Sequence, residues 1–204
     1  MSVTSTHDTA AIDGRTLRRQ RSRAEIVTAL LDLFEEGLVD VSAAQVAARA
    51  GVSERSLFRH FADIHDLYRT VCETQYRRVS ASGHIDGFGT GNTESKIRRF
   101  VDQRVRLYVA VGNVGVAARA HAPRMSMLAD QLHEARRTMR QQIEWHFADE
   151  LAALSHDARV AAVTAIDVLT SYESFDLMHR DQGLRMTAIG ELLVTSIRAL
   201  LVTP

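Results

Sequence analysis

The sequence predicts an all-α fold, with an N-terminal three-helix domain carrying a helix-turn-helix and a larger C-terminal helical domain. Three observations carry that expectation. Apolar residues recur at helical spacing along most of the chain. Only two prolines and eleven glycines interrupt 204 residues, which leaves little room for loops. Residues 41–67, VSAAQVAARAGVSERSLFRHFADIHDL, read as two short helices joined by a tight turn at Gly51-Val52-Ser53. That shape serves DNA reading, and it also occurs in helical bundles that never touch DNA.

Residues 1–14 are polar and are expected to form a disordered tail. A first helix is expected from about residue 17 or 22 to 36, with Ile26, Leu30, Leu33 and Phe34 at helical spacing. Ser42 and Gln45 make a capping-box start for the second helix, and Ala43, Ala44, Val46, Ala47, Ala48 and Ala50 favour helix within it. Gly51 ends that helix, because glycine takes the left-handed conformation without steric cost. Ser53 caps the third helix, in which Leu57 and Phe61 face inward with Val46 and Val52. Asp63 caps a fourth, with Asp66 near its positive end, running through Leu67, Val71 and Cys72 to about residue 80. Four glycines in residues 82–92, SGHIDGFGTGN, mark a loop before the main body of the second domain. The domains are therefore drawn as a tail at 1–14, a helix-turn-helix domain at 15–62 and a second domain at 63–204.

Beyond the loop, a helix from 93 to about 112 carries Ile97, Phe100, Val101, Val105 and Tyr108 on one side, and a shorter one ends at Pro123. A long charged helix is expected over 126–153. Its buried stripe is Leu128, Leu132, Ala135, Met139, Ile143 and Phe147, and Arg136, Arg137, Arg140 and Glu144 form a solvated face. Two final helices are expected at 156–179 and 184–202. The first has Ala158, Ala161, Ala162 and Ala165 for close approach; the second has a wide stripe from Ile189, Leu192, Leu193, Ile197, Leu200 and Leu201. Two wide faces at the end of a small domain suggest a second copy of the chain as partner.

The formal net charge is zero, so charge placement decides what the charges do. Arg15, Arg18, Arg19, Arg21 and Arg23 fall in nine residues without an acid, ahead of the first helix. They read as a solvated tail or as an arm following phosphates. Lys96 is the one lysine among 25 basic residues, and Arg98 and Arg99 beside it fit an exposed surface. A single cysteine, Cys72, excludes an intramolecular disulfide and a cysteine metal cluster and is expected to be a buried structural thiol. His121, His133, His146, His156 and His179 lack ligand spacing, so neither a metal nor another cofactor is expected. The chain contains no G-x-S-x-G elbow, phosphate-binding Gly-x-x-x-x-Gly-Lys or H-E-x-x-H, and it is expected not to be an enzyme. No apolar run reaches the roughly 18 residues of a membrane span, and MSVTSTHDTAAIDG has no hydrophobic signal core, so no membrane partner and a cytoplasmic location are expected.

Residues 23–67 resemble the DNA-binding domain of the TetR family of transcriptional regulators. The resemblance rests on Leu33-Phe34-Glu35-Glu36-Gly37, Val46-Ala47, Gly51-Val52-Ser53, Leu57-Phe58 and His60-Phe61. AraC-type regulators share a similar stretch, but their reading heads come in pairs and mostly at the C-terminus. The resemblance implies a ligand-responsive regulator, a repressor by expectation, that binds palindromic double-stranded DNA as a homodimer and answers to an unknown small-molecule effector. It places the third helix in the major groove. Arg55 is then the sharpest base-contact candidate, because a guanidinium can donate two bonds to guanine. Glu54, Ser56 and Arg59 join it, Ser42 and His60 match phosphate contacts, and Gln45, Phe58, Arg15, Arg18, Arg19 and Arg21 complete the candidate set. Phe58 stands where relatives usually have tyrosine and Ile64 where they often have lysine, so two phosphate contacts are missing; backbone N–H groups opening the fourth helix remain available. Ala44 reaches at most a thymine methyl. In the second domain the resemblance implies a pocket, with Phe100, Tyr108, Trp145, Phe147, Tyr172 and Met178 as candidate lining. It also implies a dimer interface through the last two helices, with Ala162, Ile189, Leu193 and Ile197 as candidates. The rival readings are a helical bundle without DNA binding and a small helical enzyme.

Overall fold

The computed structural model describes residues 14–202. Among them are ten α-helices and no strand. The expected tail lies outside the described residues apart from Gly14, which opens α1. The chain divides into two compact units between Val71 and Cys72, inside the fourth helix rather than at 62/63.

The first unit holds α1 (Gly14–Glu35), α2 (Ala43–Arg49), α3 (Glu54–His60) and the first half of α4 (Ile64–Val79). Ile26, Leu30, Phe34, Val46, Leu57, Phe61 and Leu67 are fully buried. The first half of α4 belongs here because of Tyr68. Its ring meets Phe34 edge-on at 5.3 Å. Its buried hydroxyl accepts from the Val41 N–H at 3.0 Å and donates to the Val41 carbonyl at 3.1 Å. An exposed bidentate pair, Arg49 to Glu36 at 2.7 Å, joins the end of α2 to the chain just past α1. That hydrogen bond from Arg49 holds the Glu36 carboxyl below its ordinary range.

In the second unit α5 (Thr93–His121) is central, and α6 (Ser126–His146) and α10 (Met186–Leu201) pack on it. The short α7 (Ala148–Ala152) follows α6, α8 (His156–Leu169) contacts both α6 and α10, and α9 (Tyr172–Asp176) contacts α5. Ile97, Phe100, Ile143, Phe147, Ile166, Ile189 and Ile197 form the centre of the core. Emptying any of the large core sites by truncation to alanine should cost on the order of 2–5 kcal/mol.

Several element boundaries differ from those that the apolar periodicity implies. Helix α5 runs past the expected end at 112, but Gly112 has φ 51° and ψ −148° and kinks it there. The helix expected over 126–153 breaks at Phe147, and that expected over 156–179 stops at Leu169. In the latter case Ser171 restarts the chain as a new cap, accepting from the Ser174 N–H at 3.1 Å.

Lys96 corrects the expectation of an exposed lysine. It is buried, and its ammonium donates to Glu150 at 2.7 Å. Its backbone carbonyl lies 3.0 Å from Nε2 of the buried His146, whose Nδ1 accepts from the Gly89 N–H at 3.1 Å. That histidine is a structural clasp on the glycine-rich loop. Arg104 is also buried, with its guanidinium over the Phe100 ring at 4.4 Å. It donates to Gln103, Gln142 and the Met139 carbonyl.

Candidate functional site

The geometry of the head follows from its caps. Ser42 and Gln45 form the reciprocal capping box, with the Ser42 N–H donating to Gln45 Oε1 at 2.9 Å. Gly51 adopts φ 67°, and the Val52 N–H closes the turn on the Ala47 carbonyl at 3.0 Å. Ser53 then caps α3, accepting from the Ser56 N–H at 3.2 Å. These bonds orient α3 so that Leu57 is buried while Glu54, Arg55, Phe58 and Arg59 are exposed. Arg59 Nη2 donates to Ser56 Oγ at 3.2 Å. No carboxylate pairs with Arg55 or Arg59 among the described residues.

The basic cluster is placed differently from the expected arm. Arg18, Arg19, Arg21 and Arg23 lie within α1 rather than ahead of it, and the Arg15 side chain lies outside the described residues. Arg18, Arg19 and Ser22 of α1 face Arg59 and His60 of α3 across a groove of about 520 Å³. Arg21 does not line it. Arg23 serves the fold, donating to Thr70 at 3.1 Å and covering the Phe61 ring at 4.7 Å. Burial, with the positive charges of Arg59, Arg19 and Arg23, holds the His60 pKa below its ordinary value. Nδ1 of His60 is enclosed without a hydrogen-bond partner among the described residues.

The opening of α4 is less available than expected. Asp63 accepts from the Asp66 N–H at 2.8 Å, and Asp66 accepts from the Ala62 N–H at 3.1 Å. Two backbone donors are thus used, and two carboxylates stand where a phosphate would approach.

A family model described as bacterial regulatory proteins, tetR family, matches residues 26–71, the stretch that contains α2, the Gly51 turn and α3. Over that stretch the chain is similar to the tetR family of bacterial regulatory proteins. Two solved structures share the fold of this chain. One is a transcriptional regulator from Rhodococcus sp. Rha1, 18% identical over 90% of this chain and 100% of that chain, with a TM-score of 0.69. The other is a tetR-family transcriptional regulator from Streptomyces coelicolor, 18% identical over 89% of this chain and 80% of that chain, with a TM-score of 0.65. No curated protein matches at a significant level. The N-terminal unit contains the helix-turn-helix that matches the tetR family model.

The second unit contains an apolar chamber of about 150 Å³ between α4, α5 and α6. Tyr108 and Tyr172 line it, as do Cys72, Leu107, Leu132 and Met139. Phe100, Phe147 and Met178 do not: they are packed into the core, Phe100 and Phe147 edge-on at 5.3 Å. Trp145 is 64% exposed on the outer side of α6 and does not border the chamber. Periodicity marks which face of a helix is apolar, and a filled core and a hollow one have the same signature. Cys72 is half-buried at the chamber wall, and burial pushes its thiol up to about 12.

The expected interface residues are also placed elsewhere. Ala162, Ile189, Leu193 and Ile197 are all buried within the chain's own core, at 2% exposure or less. The outward sides of the same helices carry Val160 and Val168 on α8, and Leu192 with Ala188, Thr195 and Ala199 on α10. The wide apolar stripes therefore divide between an inner face that fills the core and an outer face that stays open.

Proposed function

We propose that the protein is a ligand-responsive transcriptional repressor that binds palindromic operator DNA as a homodimer in the cytoplasm. One observation carries the DNA reading. The exposed side chains of α3, with Arg55 and Arg59 unpaired by acid among the described residues, lie on the same small unit as the Arg18/Arg19 groove. Phosphates complement such a groove, and a guanidinium on an exposed helix suits guanine O6 and N7. Arg55 reads a base, with Glu54, Ser56 and Arg59 flanking it. Arg18, Arg19 and His60 hold phosphate, Ser42 and Gln45 border the backbone, and Phe58 offers only an apolar contact. A bundle without DNA binding, or a small helical enzyme, gives these arginines no role.

The dimer uses the open sides of α8 and α10, where Val160, Val168 and Leu192 stand exposed. A two-fold pair of heads requires matching half-sites, about 34–36 Å apart along the duplex. The effector enters the chamber. Helix α4 begins in the head and lines the chamber with Cys72, Gln75, Tyr76 and Val79, so a ligand there acts on an element that both units contain. A ligand that prefers one arrangement lowers operator affinity by its affinity difference between arrangements.

Selection of sites from a random duplex library, with light scattering on the free protein, tests the core of the reading. An inverted repeat and a dimer are expected. A monomer, or a non-palindromic selected site, overturns it.

A further inference from the structure

The polar groups around the chamber define what can occupy it. Its walls are Val79, Leu107, Val111, Val114, Leu128 and Leu132, and Arg119 is the one charged residue beside them among the described residues. Arg119 is already balanced. Its Nε donates to Glu173 at 2.9 Å, Nη1 donates to the Gly115 carbonyl at 3.1 Å, and its guanidinium lies 3.9 Å from the Tyr172 ring centroid. Burial opposes ionisation of Glu173, but hydrogen bonds from Arg136 and Arg119 and the Arg119 charge outweigh it and hold the carboxyl at about 2. At this inner end Arg119 and Arg136 both pair with Glu173, and Asp167 pairs with Arg140 at 3.4 Å. The mouth, of about 440 Å³, carries Arg77 against Glu73 and Glu134. It adjoins the chamber at Tyr76, Gln131 and Ala135.

The two tyrosines at the inner end offer no vacant donor; the third, Tyr76, stands exposed where the chamber meets its mouth. Tyr108 donates to the Thr170 carbonyl at 2.7 Å and Tyr172 to the Gly112 carbonyl at 2.8 Å, the latter at the kink of α5. Gln75 donates to the Ala110 carbonyl at 2.8 Å. Cys72, pushed up to about 12, contributes a neutral thiol. Past Tyr76 and Gln131 at the mouth, an anion entering the chamber would meet an arginine already paired, and a cation would meet no carboxylate on the chamber wall. Either ion would lose its hydration without replacement.

We propose that the chamber takes a small neutral, apolar molecule of about the size of a monocyclic aromatic hydrocarbon, and that it rejects the anionic and cationic analogues of the same shape. The apolar space of about 150 Å³ is large enough for a single aromatic ring. Aromatic shape fits because Tyr108 and Tyr172 meet edge-on at 5.6 Å at the inner end, presenting ring surfaces to the chamber. The proposal rests on the reading of this chamber as the effector site, but ligand class and DNA response are measured separately.

The test uses the full chain with toluene, benzoate and benzylammonium, three probes of one shape and different charge. Calorimetry and thermal unfolding should show saturable toluene binding at one site per chain, with both ions at least tenfold weaker. Ala135→Phe, which places a ring where mouth and chamber join, should weaken toluene at least tenfold while the circular dichroism spectrum is unchanged. The wild-type comparison of the three probes stands even if that variant fails to fold. Absence of toluene binding, equal binding of either ion, or unchanged toluene affinity in a folded Ala135→Phe protein overturns the proposal. Toluene binding with unaltered operator affinity supports the ligand class and counts instead against release of DNA by this ligand.

Discussion

The hydroxyl of Tyr68 forms two hydrogen bonds to one residue, accepting from the Val41 N–H at 3.0 Å and donating to the Val41 carbonyl at 3.1 Å. Val41 directly precedes Ser42, the cap of α2, so this buried pairing fixes where the helix-turn-helix begins. Tyr68→Phe leaves two backbone groups unpaired in the core, and the loss of such pairing should destabilise the protein by about 1–3 kcal/mol. Urea unfolding measures it. A midpoint unchanged from wild type would show that Val41 finds other partners.

Arg55→Ala should relax base preference at one position of each half-site, removing about 1–3 kcal/mol of discrimination there. Affinity for an operator altered at that position should fall much less. Competition binding against a set of single-base operator variants gives both numbers, and a uniform loss across all variants would reassign Arg55 to the phosphates.

Substituting alanine for Arg18 and Arg19 together should behave in the opposite way. Binding to all sequences should weaken alike, and the log-log dependence on salt should become shallower by about 0.9 for each phosphate that the variant no longer neutralises. Titrations at several salt concentrations check this; an unaltered slope would place the α1 arginines off the DNA.

His60 gives operator binding a pH dependence with a defined sign. In the free protein its pKa lies below the ordinary value, from burial and from Arg59, Arg19 and Arg23. A phosphate in the groove offsets those charges and raises the pKa, so binding takes up a proton as pH falls through the interval between the two values. Affinity should therefore rise as pH falls toward the free-state pKa. His60→Gln should flatten that rise, as fluorescence anisotropy at constant ionic strength would report.

Local sequence determined the head almost completely. The Ser42/Gln45 capping box, the Gly51 turn and the Ser53 cap each act within four residues, and all three form as their residue types dictate. Boundaries set by long apolar stripes were less legible. Phe147 and Thr170 continue the periodicity of the helices that end at them, and the breaks come from packing in the core and from the Ser171 cap. The basic run ahead of Ile26 was visible as charge, but its helical form and its convergence with Arg59 and His60 were not, because those residues lie some forty positions apart.

What the sequence determined alone was therefore the fold class, the position of the turn and the residues that α3 shows to solvent, since caps, glycine conformation and helical period are short-range properties. Tertiary structure alone decided which apolar side chains fill the core and which line a space. Phe100 and Tyr108 share one face of α5, yet Phe100 packs against Phe147 while Tyr108 borders the chamber. It also decided that Ile189, Leu193 and Ile197 face inward while Leu192 stays open, and that Lys96 is buried against Glu150. Burial depends on what the other helices bring to a face, and a periodic pattern does not record the partner.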